Sequence, residues 1–198
     1  GWDADERIHN VGQSAHLLRD AQVREAAEVI ARMGLTLDIW LYHPQLDEVA
    51  ELADALPNLT IVLNHVGSPI LGGPYRNRTN EVFADWRTRI IRVGQCDNVY
   101  VKLGALPIRM PGYEGDRSKP PGSLEVAEAW RPWMETCIEA FGPARSMYES
   151  NFPVQKRWCS YQVCWNAFKR ISANASETEK ADLFAGAAAR AYRIDGLS

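Results

Sequence analysis

Three short runs end in side chains able to move protons or bind a polarised carbonyl. They are Asp38-Ile-Trp-Leu-Tyr-His-Pro44, Ile61-Val-Leu-Asn-His-Val-Gly67 and Ser146-Met-Tyr-Glu-Ser-Asn-Phe-Pro-Val154. Each starts apolar or aromatic, as a strand does, and meets a Pro or Gly just past its polar end. The first two runs close on His43 and His65, whose imidazoles transfer protons near neutral pH and ligate metals. A histidine placed like His65 can serve as general base, metal ligand or donor to a carbonyl oxygen. The third run carries Glu149 and Asn151, two residues apart and so on one face of an ideal strand. The Asn151 amide has no basicity or charge comparable to a carboxylate. Each residue also has a purely structural explanation: His43 packed in a Tyr-His-Pro turn, His65 as a core histidine bonded to a backbone carbonyl.

Around these lie candidate binders of an anionic or hydroxylated substrate. Lys102 stands in a fourth strand-like run, Val99-Tyr-Val-Lys-Leu-Gly104, and Tyr75 with Arg76 occupies the loop after His65. Lys156 and Trp158 follow the Asn151 turn. Long charged side chains equally well snorkel to solvent.

The elements that must position these residues alternate. Helical spacing runs from about Leu17 to Met33, stopped by Gly34, and again over 46–56, along one side of 81–93, and from Ser123, a plausible N-cap, to Phe141. Strands are expected at 35–42, 60–64, 99–103 and 146–150. Two helices close the chain at about 161–172 and 177–192, the second opened by Ser176 and Glu179 in capping-box form. Strand, loop and helix repeating four times imply a parallel α/β fold, and such folds place chemistry at the carboxyl ends of their strands. The loop at 104–122, with four prolines, has the length of an active-site lid. Trp130 and Trp133 read as helix core.

Composition narrows the classes. The 198 residues are 46% hydrophobic and 24% charged, which suits one domain with a sizeable core. A net charge of -3 gives nucleic acid or an anionic membrane no basic field to be drawn to. No apolar run approaches the ~20 residues that span a bilayer, and no signal-peptide pattern opens the chain, so a cytoplasmic protein is expected. The four cysteines, Cys96, Cys137, Cys159 and Cys164, lack CxxC spacing and read as buried thiols. Neither GxGxxG nor GxxxxGK[ST] follows any strand, which removes most nucleotide-binding folds. The first methionine, Met33, lies inside a helical pattern, so Gly1 is not expected to be a natural start.

The runs Trp40-Leu-Tyr-His-Pro-Gln45, Ile61-Val-Leu-Asn-His-Val-Gly67, Val101-Lys-Leu-Gly104, Ala129-Trp-Arg-Pro132 and Tyr148-Glu-Ser-Asn-Phe-Pro-Val154 together resemble the amidohydrolase-related family. That branch of metal-dependent hydrolases has a TIM-barrel fold and includes sugar lactonases and a pyrone dicarboxylate lactonase. The resemblance implies that the chain, one domain over 1–198, is the carboxyl-terminal half of a (β/α)8 barrel, its four strands matching the fifth to eighth. A complete barrel takes ~250 residues. The first four strands, including the His-x-His metal motif of the first, are absent.

The resemblance further implies a small-molecule lactone, ester or amide substrate, with His65, Asn151, His43 and Glu149 as catalytic candidates. It implies a divalent metal such as zinc, to which His43 or His65 can contribute. Asn151 departs from the pattern here, because members with metal chemistry usually carry Asp at that strand end; Glu149 can stand in for that carboxylate. Decarboxylase-type lyase chemistry is the enzymatic rival. The non-catalytic rival is a barrel half that pairs with a second copy or a complementing chain, because an isolated half exposes sheet edges and apolar interior. Little or no hydrolase activity is expected of the half alone.

Overall fold

β-Branched and apolar residues form four short strands: β1 (Thr36–Ile39), β2 (Thr60–Leu63), β3 (Val99–Leu103) and β4 (Ser146–Tyr148). The computed structural model describes residues 1–10, 15–107 and 119–196. All strand pairs are parallel and the order in the sheet is β1-β2-β3-β4, with Ile39 beside Leu63, Leu63 beside Val101 and Leu103 beside Tyr148. Helix α1 (Ala21–Arg32) leads into β1. Helices α2 (Leu46–Ala55), α3 (Thr79–Gly94) and α4 (Ser123–Phe141) make the three crossovers. After β4 come α5 (Tyr161–Ile171), α6 (Glu177–Ala181) and α7 (Ala187–Tyr192), with a π-helical turn, Asp182–Gly186, between the last two.

Strand alternation sorts side chains to two faces. Ile61, Leu63, Val99, Val101 and Leu103 join a core with Leu52, Trp86, Ile90, Trp130 and Phe168 from the crossover helices and α5. Val62, Tyr100 and Met147 face the other way and pack against Ala187, Ala191 and Tyr192 of the terminal helix. A doubly wound sheet reverses its strand order and takes crossover helices on both faces. Here the order never reverses and the crossovers share one face, unlike a doubly wound sheet.

The expected elements all form, with boundaries corrected by local chemistry. The helix expected from Leu17 starts only at Ala21, after a 3-10 turn at Leu17–Arg19, because the Asp20 side chain accepts from the N–H groups of Gln22 (2.9 Å) and Val23 (3.3 Å). Ser123 is the first helical residue of α4 and not its cap; Gly122 takes that place, its N–H donating to Glu125 at 2.7 Å. The capping box at Ser176 is present, with the Glu179 carboxylate accepting from the Ser176 N–H at 2.7 Å. Trp130 and Trp133 are buried in the core, and all four cysteines are buried free thiols. Residues 108–118 of the expected lid lie outside the described residues. Among the described residues no helix is long and apolar enough to cross a membrane.

Candidate active site

The carboxyl ends of β2, β3 and β4 leave the sheet in an unusual way. His65, Val66, Gly67 and Ser68 follow β2 with φ of 59°, 48°, 70° and 41°, a left-handed turn of four residues. Ala105 (φ 59°) follows β3 and Asn151 (φ 51°) follows β4. L-residues avoid this region because Cβ crowds the backbone, and a β-branched residue such as Val66 is worst placed there. Each such residue costs on the order of 1–3 kcal/mol and persists only where surrounding structure imposes it. Among the described residues seven non-glycine residues have positive φ, and five of them stand at these three strand ends. The strain is concentrated where the chemistry was expected.

Packing imposes it. The buried Trp86 indole of α3 donates to the Val66 carbonyl at 2.7 Å, pinning the turn from beneath. At Gly67, itself at φ 70°, a Cβ would lie 2.8 Å from Leu46 Cδ2, so a larger residue would have to displace that side chain. Trp86→Phe keeps the ring packing and deletes the donor; the urea midpoint should fall by the equivalent of about 1–2 kcal/mol. An unchanged midpoint would show that the turn does not lean on the indole.

The turn sets His65 against Glu149. The imidazole Nδ1 meets the Glu149 carboxylate in a very short contact, and the His65 backbone N–H donates to the same oxygen at 3.2 Å. An ionised carboxylate only accepts, so Nδ1 carries the proton and Nε2 is left as the basic atom. Gly104 makes room for this pair. A Cβ there would sit 2.3 Å from the Glu149 carbonyl oxygen and 2.5 Å from its Cγ.

Beside His65 opens a cavity of about 320 Å³. Trp40, Tyr42, Pro69, Ala105, Leu106, Pro107 and Val154 give it apolar walls, and His65, Ser68 and Asn151 line it as polar groups. The Trp40 and Tyr42 rings meet edge to face with centroids 5.4 Å apart. Gln155, almost wholly buried, joins two walls: its side chain donates to the Leu106 carbonyl at 2.9 Å and its backbone N–H donates to the Asn151 carbonyl at 2.9 Å. Sequence reasoning missed Trp40, Tyr42, Ser68 and Gln155. The first two were visible as aromatic residues in the very strand run that ends at His43.

Of the residues expected at the site, the structure brings together His65, Glu149 and Asn151. His43 is buried elsewhere at 2% exposure, edge to face with Tyr75, its Nδ1 accepting from the Ile70 N–H at 3.2 Å. Tyr75 donates to Asp3 at 2.7 Å, and burial, aided by that bond, pushes its phenol up to about 12. Lys102 points to the sheet face covered by α7, 2.5 Å from Asp38. Arg76 and Lys156 are exposed, and Trp158 packs at the edge of the core. None of these lines the cavity. Lys102 alternates onto the sheet face that meets Tyr192, and His43, in the 3-10 turn after β1, is held by Ile70, Tyr75 and Asp85.

The donor set also bears on a metal. Zinc takes three or four protein ligands. Among the described residues no three His, Cys, Asp or Glu side chains converge as a metal site. His65 and Glu149 are engaged with each other and His43 with a backbone N–H, so these residues do not by themselves fit a catalytic zinc.

The sequence model of the amidohydrolase family matches residues 7–194. The chain belongs to the amidohydrolase family. It is 35% identical over 176 residues to the uncharacterized protein y4mH of Sinorhizobium fredii, covering 89% of this chain and 53% of that one. It is 27% identical over 158 residues to an L-fucono-1,5-lactonase of Burkholderia multivorans, covering 79% and 51%. An L-rhamnono-gamma-lactonase of Scheffersomyces stipitis is 26% identical. This amidohydrolase chain thus spans about half the length of the curated relatives it matches. A crystal structure of a Burkholderia multivorans amidohydrolase with bound zinc superposes with a TM-score of 0.77 at 23% identity, over 93% of this chain and 63% of that one. The α/β fold with its parallel sheet thus resembles that of the amidohydrolase TIM-barrel proteins.

Proposed function

We propose that this amidohydrolase chain carries the proton-handling half of a lactone hydrolase, built on the second half of a TIM-type barrel. The observation that carries the reading is the His65–Glu149 pair beside a cavity whose walls are strained into place. A water held at Nε2 of His65 gives up a proton as its oxygen attacks the lactone carbonyl carbon. Glu149 stabilises the imidazolium that forms. The Asn151 amide and Ser68 hydroxyl are the cavity donors available to the developing oxyanion. As the tetrahedral adduct collapses, the ring C–O bond breaks and the imidazolium returns its proton to the departing alkoxide, giving a hydroxy acid.

The cavity also supports a substrate class. Among the described residues its lining holds no Lys or Arg to pair with an anionic group. Its aromatic wall suits the apolar face of a sugar ring, and its volume is within the range for a small ligand. We infer an uncharged sugar lactone, as the names of the relatives suggest, over a dicarboxylate. Acid release by the chain should be measured with L-fucono-1,5-lactone and with 2-pyrone-4,6-dicarboxylate, for the native protein and for His65→Gln. Hydrolysis of the neutral lactone alone, dependent on His65, is expected, at a rate below about 1 per second if the complete barrel is needed for full turnover. A rate on the neutral lactone that His65→Gln leaves unchanged would remove the proposal.

A further inference from the structure

Beyond the bond from the Glu149 N–H to the Leu103 carbonyl at 3.2 Å, where the backbones of β3 and β4 part, a side chain joins the two strand ends again. It belongs to Gln155, in the 3-10 turn Val154–Arg157 that follows Asn151. Only 1% of the residue is exposed. Its backbone N–H donates to the Asn151 carbonyl at 2.9 Å, and its own carbonyl accepts from the N–H groups of Trp158 (2.9 Å) and Cys159 (3.3 Å), which closes the turn just ahead of α5. The side-chain amide then reaches across to donate to the Leu106 carbonyl at 2.9 Å.

Both residues that Gln155 grips line the cavity, and Gln155 does not. Ala105, Leu106 and Pro107 line it from the end of β3, Asn151 and Val154 from the end of β4. Ala105 (φ 59°) and Asn151 (φ 51°) are both left-handed, so neither segment keeps its shape by local preference. A buried carbonyl such as that of Leu106 needs a donor. Glutamine supplies one, whereas an ionised glutamate of the same shape only accepts.

We propose that Gln155 is a positioning residue: it ties the Leu106 wall to the Asn151 turn and so keeps the Asn151 amide in place for the developing oxyanion. It touches no substrate and acts through Asn151. The inference rests on the lactone reading, in which that amide is a donor to the oxyanion. A displacement of about 1 Å at a reacting centre can cost on the order of 10²-fold in rate, so a buried bond away from the lactone can govern turnover.

Two variants test it. Gln155→Met keeps the length of the side chain without its donor, and Gln155→Glu keeps the shape and turns an acceptor toward Leu106, should Gln155→Met fail to fold. On L-fucono-1,5-lactone each should lower kcat roughly 10-fold or more with KM little changed, the mark of an interaction used only in the transition state. Added to Asn151→Ala, Gln155→Met should cost almost nothing further, because it works through the amide already removed. A second measurement needs no lactone: amide hydrogen exchange over 104–107 and 151–155 should be faster in Gln155→Met, while that of β2 and α3 stays as in the native chain. If the native chain shows no hydrolysis that depends on His65, the lactone reading fails by itself, and the exchange comparison alone upholds or overturns the tie. Unchanged exchange in the two segments, an unchanged kcat in an active chain, or a loss that adds in full to that of Asn151→Ala would each overturn the proposal.

Discussion

His65→Gln and Glu149→Gln should each lower lactone hydrolysis by roughly 10²-fold or more while leaving the fold intact, as expected for losing general base catalysis or the group that orients the base. The two fail for different reasons. Glutamine at 65 keeps volume and one hydrogen-bonding end but takes up no proton near neutral pH. Glutamine at 149 preserves shape, yet its amide can donate to Nδ1, and the imidazole then carries its proton on Nε2, where the base is needed. A merely packed His65 predicts another pattern. Its loss would cost on the order of 1–3 kcal/mol through an unpaired group and a small cavity, with turnover of the folded fraction near normal. Rates and urea midpoints for both variants separate the cases. Because the two residues act through one pair, the double variant should be scarcely slower than either single one. Near-normal turnover in Glu149→Gln would show that the short contact is structural and would leave His65 without the partner that sets its tautomer.

How far the sequence reveals this arrangement differs from residue to residue. β3 was readable to its ends, because Val99-Tyr-Val-Lys-Leu alternates strictly and Gly104 stops it. β1 was overestimated, since Trp40 to Tyr42 remain extended in pattern but turn away as a cavity wall and pair with no strand. His65 and Glu149 were both visible as reactive side chains at strand ends. Their contact was not, because it depends on a left-handed turn that no propensity of Val66 or Ser68 announces. The tertiary partners that hold that turn, Trp86 at the Val66 carbonyl, His43 at the Ser68 carbonyl and Glu149 at the His65 N–H, are 20 or more residues away. Tertiary context overrides local preference at such sites. The cover over the second sheet face was equally hidden. Ala187, Ala188 and Ala191 look like ordinary helix formers, and only the π-turn before them shows which face they meet.

His43 illustrates the opposite case, a reactive residue whose environment holds it neutral. Burial pushes its imidazole down from 6.5 to about 4; the nearby Asp85 carboxylate, 3.8 Å from Nε2, opposes the shift and the Arg89 guanidinium adds to it. Asp3 acts in the same sense as Asp85. Geometry agrees with the direction. Nδ1 accepts from the Ile70 N–H, so a second proton would set donor against donor. In the unfolded chain His43 takes up a proton near 6.5, whereas in the folded chain it resists until about 4. Between those values the unfolded state binds more protons, so stability falls as the pH drops from about 6.5 to about 4 and levels off below. Above 6.5 this group contributes no slope. The 2.5-unit gap corresponds to about 3 kcal/mol in total. His43→Gln can still accept from Ile70 and does not titrate, so the native-minus-variant difference in unfolding free energy isolates the histidine from the surrounding carboxylates. That difference should be constant from pH 8 to about 6.5 and then move against the native chain by about 3 kcal/mol as the pH is lowered to 4. A difference that stays flat through this window would mean that His43 is protonated as readily in the folded chain as in the unfolded one, and that it belongs with the accessible groups of the strand-end opening after all.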